Sequence, residues 1–240
     1  MKDMEITDRQ KGILNSIVEE YIHSAQPVSS KLLEKKHKKF QVCPATIRNE
    51  MQKLTEAGFI FQPHTSAGRV PTDKGYRFFV DDLLEEETFN DRFDSKIEEW
   101  VDDDSKDALK LIQSLTRNLA SSSSSLALGY LADEKILWKE GWDRVLREPE
   151  FQEKKTIADF FGLLSNFEKE MDSLEMESGL RIFIGKENPF PKAREFSTII
   201  ARCRFPKGED GFLAIIGPKR MAYDKNINSL NHLIKILEEL

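Results

Sequence analysis

The 240-residue sequence has little cysteine and no long hydrophobic run, and both absences exclude classes of protein. Its two cysteines, Cys43 and Cys203, lie far apart and form neither a CxxC pair nor a Cys/His ligand set. Neither a disulfide framework nor a zinc site is therefore indicated. No apolar stretch approaches the roughly 18 residues of a membrane-spanning helix, and the N-terminus lacks the apolar segment of a signal peptide. We expect a cytoplasmic protein with no membrane partner.

Motifs for catalysis are also missing. The sequence contains no G-x-S-x-G elbow, no phosphate-cradling glycine loop and no H-E-x-x-H. Its four histidines, at positions 23, 37, 64 and 232, have no carboxylate or nucleophile partner at motif spacing. We therefore expect no enzymatic activity, no catalytic residues, no cofactor and no bound metal.

Charge is distributed unevenly along the chain. The whole sequence has a net charge of -6, but residues 1–83 hold 13 Lys and Arg against 11 Asp and Glu, a net of +2. Residues 84–240 carry the remaining -8, and five lysines cluster in KLLEKKHKK, residues 31–39. An acidic body repels nucleic acid unless a basic face is held apart from it.

Two helices are predicted before residue 40. TDRQKGILNSIVEEYIHS opens with Thr7 and Gln10 at capping-box spacing. Its apolar positions form one stripe: Ile13, Leu14, Ile17, Val18, Tyr21 and Ile22. A second, short helix follows Pro27, with Ser29 or Ser30 as its cap.

The third predicted helix, CPATIRNEMQKLTEAG, has two faces of different chemistry. Pro44 suits its first turn and Gly58 its end. The apolar side carries Ile47, Met51 and Leu54, and the polar side carries Ala45, Arg48, Asn49 and Gln52. In a major groove Arg pairs with guanine, and Asn or Gln pairs with adenine. For an isolated helix, such a polar face is more often only a solvent-exposed surface, so the elements that follow decide between the two.

A short hairpin follows this helix. FIFQ (59–62) and RVP (69–71) are predicted strands, joined by the turn HTSAG. Three helices and a hairpin make a winged helix-turn-helix, whose third helix enters the major groove. The predicted DNA-binding residues are Ala45, Thr46, Arg48, Asn49, Gln52, His64, Thr65, Ser66, Arg69, Lys74 and Arg77.

The rest of the chain predicts a second domain. Helical periodicity marks residues 109–119 and 151–174, and the serines at 121–125 end the first of these helices or form a linker. Four apolar runs predict strands: SLALGYL, LRIFIG, STIIARCRF and GFLAIIG. The predicted fold is α+β: a winged helix-turn-helix in residues 1–84, linker and dimerisation helices in 85–124, and a GAF-like α/β domain in 125–240.

The string PATIRNEMQKLTEAGFIFQPHTSAGRVPTDKGYRFFVDDLL resembles the signature of the heat-inducible transcription repressor family HrcA. The resemblance runs from Thr7 to Leu84 and resumes more weakly in LWKEGWDRVLREPEF, GLRIFIGKENPF and LAIIGPKRMAY. It implies a dimer that binds an inverted repeat in double-stranded DNA upstream of chaperone operons, with activity that depends on the chaperonin.

The sequence also departs from this family. Cys43 stands where members usually carry Ser, a better helix cap, and Ser29-Ser30 replaces a Gly-Ser pair. The chain is also shorter, and the loss falls between SLALGYL and LWKEG, where members carry an inserted dimerisation region. A dimer would then be held by one of the two helices with apolar stripes, 109–119 or 151–174, and by the second domain.

Three functional hypotheses follow. The first is a dimeric repressor that binds operator DNA through Arg48, Asn49 and the hairpin. The second is a winged-helix regulator controlled by a small molecule in the GAF-like domain. The third is an interaction module whose winged helix pairs with a protein such as a chaperonin. Salt separates DNA binding from protein pairing, because affinity for DNA falls linearly with salt on a log-log scale.

Overall fold

The computed structural model describes residues 6–36, 43–85, 95–101, 107–171 and 179–240. The chain divides into two compact units, Met1–Glu85 and Glu86–Leu240, which are described separately. Together their elements make an α+β protein, as expected. No helix among the described residues combines the length and the apolar character that crossing a membrane requires.

The first unit consists of helices and one small hairpin. Its elements are α1 (Asp8–Ser24), α2 (Ser30–Lys36), α3 (Pro44–Glu56), β1 (Ile60–Phe61), β2 (Val70–Pro71) and α4 (Asp73–Glu85). The two strands pair antiparallel. They are shorter than the predicted segments 59–62 and 69–71, and Arg69 pairs outside the hairpin, with Val28.

Local capping explains where α1 and α2 begin. The Thr7 hydroxyl accepts the N–H of Gln10 at 3.3 Å, and the Gln10 side-chain oxygen accepts the N–H of Thr7 at 2.9 Å. The predicted capping box is therefore confirmed. Of the two serines considered for α2, Ser29 is the cap, since its hydroxyl accepts the N–H of Leu32 at 3.2 Å.

Helix α3 begins with a proline and ends before a glycine. Pro44 occupies its first turn, while Cys43 precedes it without a side-chain bond to the helix backbone, so the N-terminal cap is weak, as expected. Gly58 has a φ of +79°, a left-handed conformation that L side chains rarely adopt. The chain leaves the helix there and enters β1.

One core joins the helices of the first unit. Its buried side chains include Ile13, Leu14, Ile17, Val18, Leu33, Ile47, Met51, Leu54, Tyr76, Phe79 and Val80. The predicted stripe of α1 faces this core, although its last members, Tyr21 and Ile22, are only half-buried.

The second unit is built on a sheet. Its elements are α5 (Ser95–Glu98), α6 (Ala108–Ser123), β3 (Leu126–Leu131), β4 (Ile136–Glu140), α7 (Trp142–Val145), α8 (Lys154–Glu170), β5 (Gly179–Ile184), β6 (Phe196–Arg204), β7 (Asp210–Pro218) and α9 (Tyr223–Glu239). The five strands run in the order β4-β3-β7-β6-β5, and every neighbouring pair is antiparallel.

Helices cover both faces of this sheet. Alternate residues of β3, such as Leu126 and Leu128, pack into a core with Phe160 and Phe167 of α8. The residues between them face α6, since a Cβ on Gly129 would lie 2.3 Å from the hydroxyl oxygen of Thr116. Helix α9 packs on β6. The central strands are continuous apolar runs in the sequence because both of their faces are buried.

Two sequence predictions for this unit need correction, and a third is confirmed. Strand β4 was not predicted, because all its residues are half-buried at a sheet edge and show no alternation. The helix predicted at 109–119 is confirmed as α6, which packs on β3, and the serines at 121–123 complete its last turn instead of forming a linker. The long helix begins only at Lys154, since Glu153 is extended, and Leu174 of its predicted stripe lies outside the described residues.

Candidate nucleic-acid interface

Helix α3 has one buried and one exposed face, divided as the periodicity predicted. Its buried apolar side chains are Ile47, Met51 and Leu54. Ala45, Arg48, Asn49 and Gln52 are all exposed. A row of polar donors therefore stands on the surface of the first unit.

Two of the predicted positions make local bonds. The side-chain amide of Gln52 donates to Glu56 at 3.1 Å, one turn further along α3. The Thr46 hydroxyl lies 3.4 Å from the sulfur of Cys43 and is half-buried. Hydrogen bonds with Thr46 lower the pKa of the exposed Cys43 thiol.

A buried carboxylate, not anticipated from the sequence, ties α3 to α1. Glu50 is only 3% exposed and accepts hydrogen bonds from Arg9 at 2.6 Å and from Gln10 at 2.9 Å. Lys53 lies 3.4 Å from its second oxygen. Burial alone would raise the pKa of Glu50, but the hydrogen bonds from Arg9 and its neighbours outweigh burial and lower it. This carboxylate holds α3 against the N-terminal end of α1.

The base of the hairpin is fixed to the helices by backbone contacts. Val28 and Arg69 exchange two main-chain hydrogen bonds, at 2.9 and 2.8 Å. A Cβ on Gly68 would lie 2.4 Å from the carbonyl oxygen of Val28, so only glycine permits this approach. The Nε atom of Arg69 donates to the Thr55 hydroxyl at 3.1 Å, which links the hairpin to α3.

The hairpin tip, residues 63–67, carries His64, Thr65 and Ser66, all of them exposed. The Ala67 N–H donates to the carbonyl oxygen of His64 at 2.8 Å and closes the turn. The side-chain amide nitrogen of Gln62 donates to the carbonyl oxygens of Thr65 and Ala67, both at 2.9 Å. The tip therefore presents its polar side chains from a hydrogen-bonded loop.

The remaining two predicted cations lie in α4 and are already engaged. Lys74 donates to the carbonyl oxygen of Ala57 at 3.1 Å and lies 4.3 Å from the centre of the Phe59 ring. Arg77 is half-buried and pairs with Asp81 at 3.4 Å. These contacts direct both side chains toward the protein. Neither side chain can reach a phosphate without giving up a contact within the protein.

The lysine cluster at residues 31–39 lies only partly within the described residues. Lys31 and Lys35 are exposed on α2, and Lys36 pairs with Glu20 of α1 at 2.7 Å. The rest of the cluster, at 38 and 39, lies outside the described residues.

The described part of the second unit contains a cavity. Its volume is about 590 Å³, and it lies between the β6–β7 turn and the end of α9. The lining includes Arg202, Arg204, Phe205, Lys207, Ile234 and Leu237. Across the described residues, no three His, Cys, Asp or Glu side chains group as metal ligands would.

Comparison with known proteins gives one family. The model for the HrcA protein C terminal domain matches residues 76–227. The heat-inducible transcription repressor HrcA of Thermodesulfovibrio yellowstonii is 26% identical over 349 residues, with 99% of this chain and 98% of the relative covered. The repressor of the same name from Brevibacillus brevis is 27% identical over 334 residues, with 98% of each covered. Both alignments exceed the 240 residues of this chain, so each relative has residues without a counterpart here.

One solved structure shares the fold. It is described as the crystal structure of a hypothetical protein at 2.2 Å resolution, and it superposes with a TM-score of 0.83. The two chains are 21% identical, and the superposition covers 98% of each.

Proposed function

Since this chain belongs to the HrcA family, we propose that it is a transcription repressor of heat-shock genes that binds operator DNA through its first unit. The relatives from Thermodesulfovibrio yellowstonii and Brevibacillus brevis are both named heat-inducible transcription repressors, and the alignments cover almost their whole length. The observation that carries the proposal is the exposed polar face of α3, which stands beside a hairpin anchored to the same helix. We place the protein in the cytoplasm, where a repressor of this kind would meet its operator DNA.

We interpret the first unit as a winged helix-turn-helix. The order of three helices, a hairpin and a fourth helix supports this reading, with α3 as the recognition helix and the hairpin as the wing. The buried Glu50 supports it further, because a helix that reads bases needs a defined orientation against its scaffold. The second unit, an antiparallel sheet with helices on both faces, is consistent with a GAF-like domain.

Within this assignment the side chains divide into two roles. Arg48, Asn49 and Gln52 suit direct contacts with base edges, since they are exposed on one face of α3. Ala45 and Thr46, at the N-terminal turn of α3, suit contacts with a thymine methyl group or a phosphate. His64, Thr65 and Ser66 suit hydrogen bonds to the DNA backbone.

We assign three cationic side chains to phosphate contacts of different strength. Arg69 uses its Nε atom for the bond to Thr55, and its two terminal amino groups suit a phosphate. Lys74 and Arg77 are assigned weaker roles, because each must give up a contact within the protein to reach DNA.

We also propose that the repressor acts as a homodimer on an inverted repeat, with the chaperonin as a further partner. A single winged helix binds weakly, and a dimer reads two half-sites about one helical turn apart or a multiple of it. Most of the apolar stripes of α6 and α8, which the sequence suggested as dimer contacts, is buried within the second unit, although Phe161 of α8 is exposed. We therefore assign the dimer contact to other surfaces of this unit.

The assembly has a direct test. Sedimentation equilibrium at micromolar protein should give a dimer mass, and a full inverted repeat should bind more tightly than a single half-site. A monomer with equal affinity for both duplexes would remove the dimer from the proposal.

DNA binding itself is tested by selecting bound sequences from random duplex DNA. The expected result is an enriched inverted repeat whose affinity falls linearly with salt on a log-log scale. No enrichment, or an affinity for duplexes that does not depend on salt, would contradict the proposed function and favour protein pairing.

A small-molecule effector is the second candidate. The cavity of about 590 Å³ in the second unit favours it, because its size lies within the range of small-molecule sites. A metabolite that raises the melting temperature and changes operator affinity would support it. This candidate fails if the purified protein binds its operator tightly without any added metabolite and no metabolite shifts its melting temperature.

A further inference from the structure

We propose that Gln62 is a positioning residue for DNA binding, which holds the hairpin tip in its binding conformation before DNA arrives. The inference rests on the proposed function and extends it to a residue outside the predicted contact set. Gln62 follows β1 directly, so its backbone belongs to the rigid base of the hairpin. Its side chain reaches across to the tip.

The bonding is specific to a carboxamide. The nitrogen of Gln62 carries two hydrogens, and it donates to two carbonyl oxygens, those of Thr65 and Ala67, at 2.9 Å each. These carbonyls bracket Ser66, the last polar side chain of the tip. Glutamate cannot make this pair of bonds when ionised, because its oxygens only accept hydrogen bonds.

The base and the tip of the hairpin are held in different ways. The base is fixed by the Val28–Arg69 pair, the close approach of Gly68 and the bond from Arg69 to Thr55. Among the described residues, Gln62 is the one side chain that bonds to the backbone of the tip. The single main-chain bond within the tip joins Ala67 to His64. Removing the Gln62 bonds therefore loosens the tip and leaves its support intact.

A loosened tip weakens binding through entropy. Ordering one residue costs about 1–2 kcal/mol, and that cost is met at folding when the tip is already fixed. If loss of the Gln62 bonds leaves the equivalent of one tip residue to be ordered when DNA binds, affinity falls by roughly 5- to 30-fold. The loss is equal for operator and random duplexes, since the tip side chains contact the DNA backbone and carry no sequence information.

The test compares the unmodified protein with Gln62→Met, which keeps the length of the side chain and removes its donors. The expected result is an equal loss of affinity on operator and random duplexes, of roughly 5- to 30-fold. The salt slope should stay unchanged, because glutamine has no charge to neutralise a phosphate. The melting temperature should also stay unchanged, and the Ala67 amide should exchange hydrogen faster. Gln152→Met, at an exposed position of the second unit, is the matched control and should change nothing.

A double-mutant cycle separates positioning from direct contact. When His64, Thr65 and Ser66 are all replaced by Ala, the effect of Gln62→Met should largely disappear. The tip then carries no polar side chain to hydrogen-bond the DNA backbone, so fixing its conformation no longer aids binding. An undiminished effect there, a loss confined to operator DNA, or unchanged exchange at Ala67 would each overturn the inference. If the unmodified protein shows no salt-dependent DNA binding, the proposed function fails and this inference fails with it. If it binds and Gln62→Met binds equally well, the inference alone fails.

Discussion

The two units use their side chains in opposite ways. In the first unit, buried polar contacts and a close glycine approach support an exposed polar face, as Glu50 beneath α3 and Gly68 beneath the hairpin illustrate. In the second unit, apolar stripes that looked available for a partner are buried on both faces of a sheet. A hydrophobic stripe in a sequence therefore predicts burial but does not say whether the same chain or another supplies the cover.

The two cysteines give the largest contrast between the units. Cys43 is exposed and hydrogen bonds with Thr46 lower its pKa, whereas burial raises the pKa of Cys203 to about 12. We expect iodoacetamide to modify Cys43 in the native protein at rates orders of magnitude above those at Cys203, because the thiolate is the reactive form. Peptide mass analysis measures both rates, and urea should equalise them. Equal native rates would contradict the burial of Cys203.

Phe160 and Phe161 compare the core and the surface of one helix. Phe160 is fully buried, while Phe161 is 49% exposed and stacks on Trp142. Phe160→Ala should lower the free energy of unfolding by about 3–5 kcal/mol. Phe161→Ala, the matched control, should cost about 1 kcal/mol. All three tryptophans lie in the second unit, so their fluorescence during urea unfolding reports this unit. Similar losses for both variants would contradict the packing of α8.

Arg48 tests whether the exposed face of α3 reads bases. Arg48→Ala or Asn49→Ala should weaken operator binding by about 1–3 kcal/mol and relax the preference at one base pair. Arg48→Lys keeps the charge but loses the two-pronged donor geometry, so it should lose discrimination with little change in salt slope. Binding assays on operator and random duplexes measure both effects. An equal loss on the two duplexes would assign these residues to the DNA backbone.

Arg69 tests the link between hairpin and helix. Arg69→Ala should weaken binding to all duplexes and reduce the salt slope by about one unit. Thr55→Val removes the acceptor of the Arg69 Nε atom, together with the hydrogen bond that the Thr55 hydroxyl donates within α3 to the carbonyl oxygen of Met51, but it keeps the charge of Arg69. It should therefore weaken binding less and leave the slope unchanged. Titrations between low and high salt give both slopes. A slope that is unchanged in Arg69→Ala would leave that residue with a role in folding alone.

Glu50 gives the smallest expected effect, a change in acid stability. Its lowered pKa means that the unfolded chain binds the proton more readily than the folded chain. Its contribution to stability is therefore complete above the ordinary value of 4.5 and is lost as the pH falls through the lowered pKa. Far-UV circular dichroism during acid unfolding should show a flatter pH dependence for Glu50→Gln than for the unmodified protein. Glu34→Gln, exposed on α2, is the control, and an identical response of both variants would contradict the assignment.

Features that depend on neighbouring residues could be predicted well. The capping box at Thr7, the end of α3 at Gly58 and the two faces of α3 all follow from spacings of a few residues. Strand β4 could not be predicted in this way. It has no buried face of its own and is a strand because it pairs with β3.

The sequence by itself determined the helices, the turn, the row of Arg48, Asn49 and Gln52, and the resemblance to a repressor family. Only the tertiary structure decided what supports that row. Arg9 reaches Glu50 across 41 positions of the chain, and Val28 pairs with Arg69 from a different segment. It also decided that the stripes of α6 and α8 are covered within their own unit. Periodicity shows which side of a helix is apolar. Whether that side is buried depends on the residues that pack against it, and distant parts of the chain meet only when it folds.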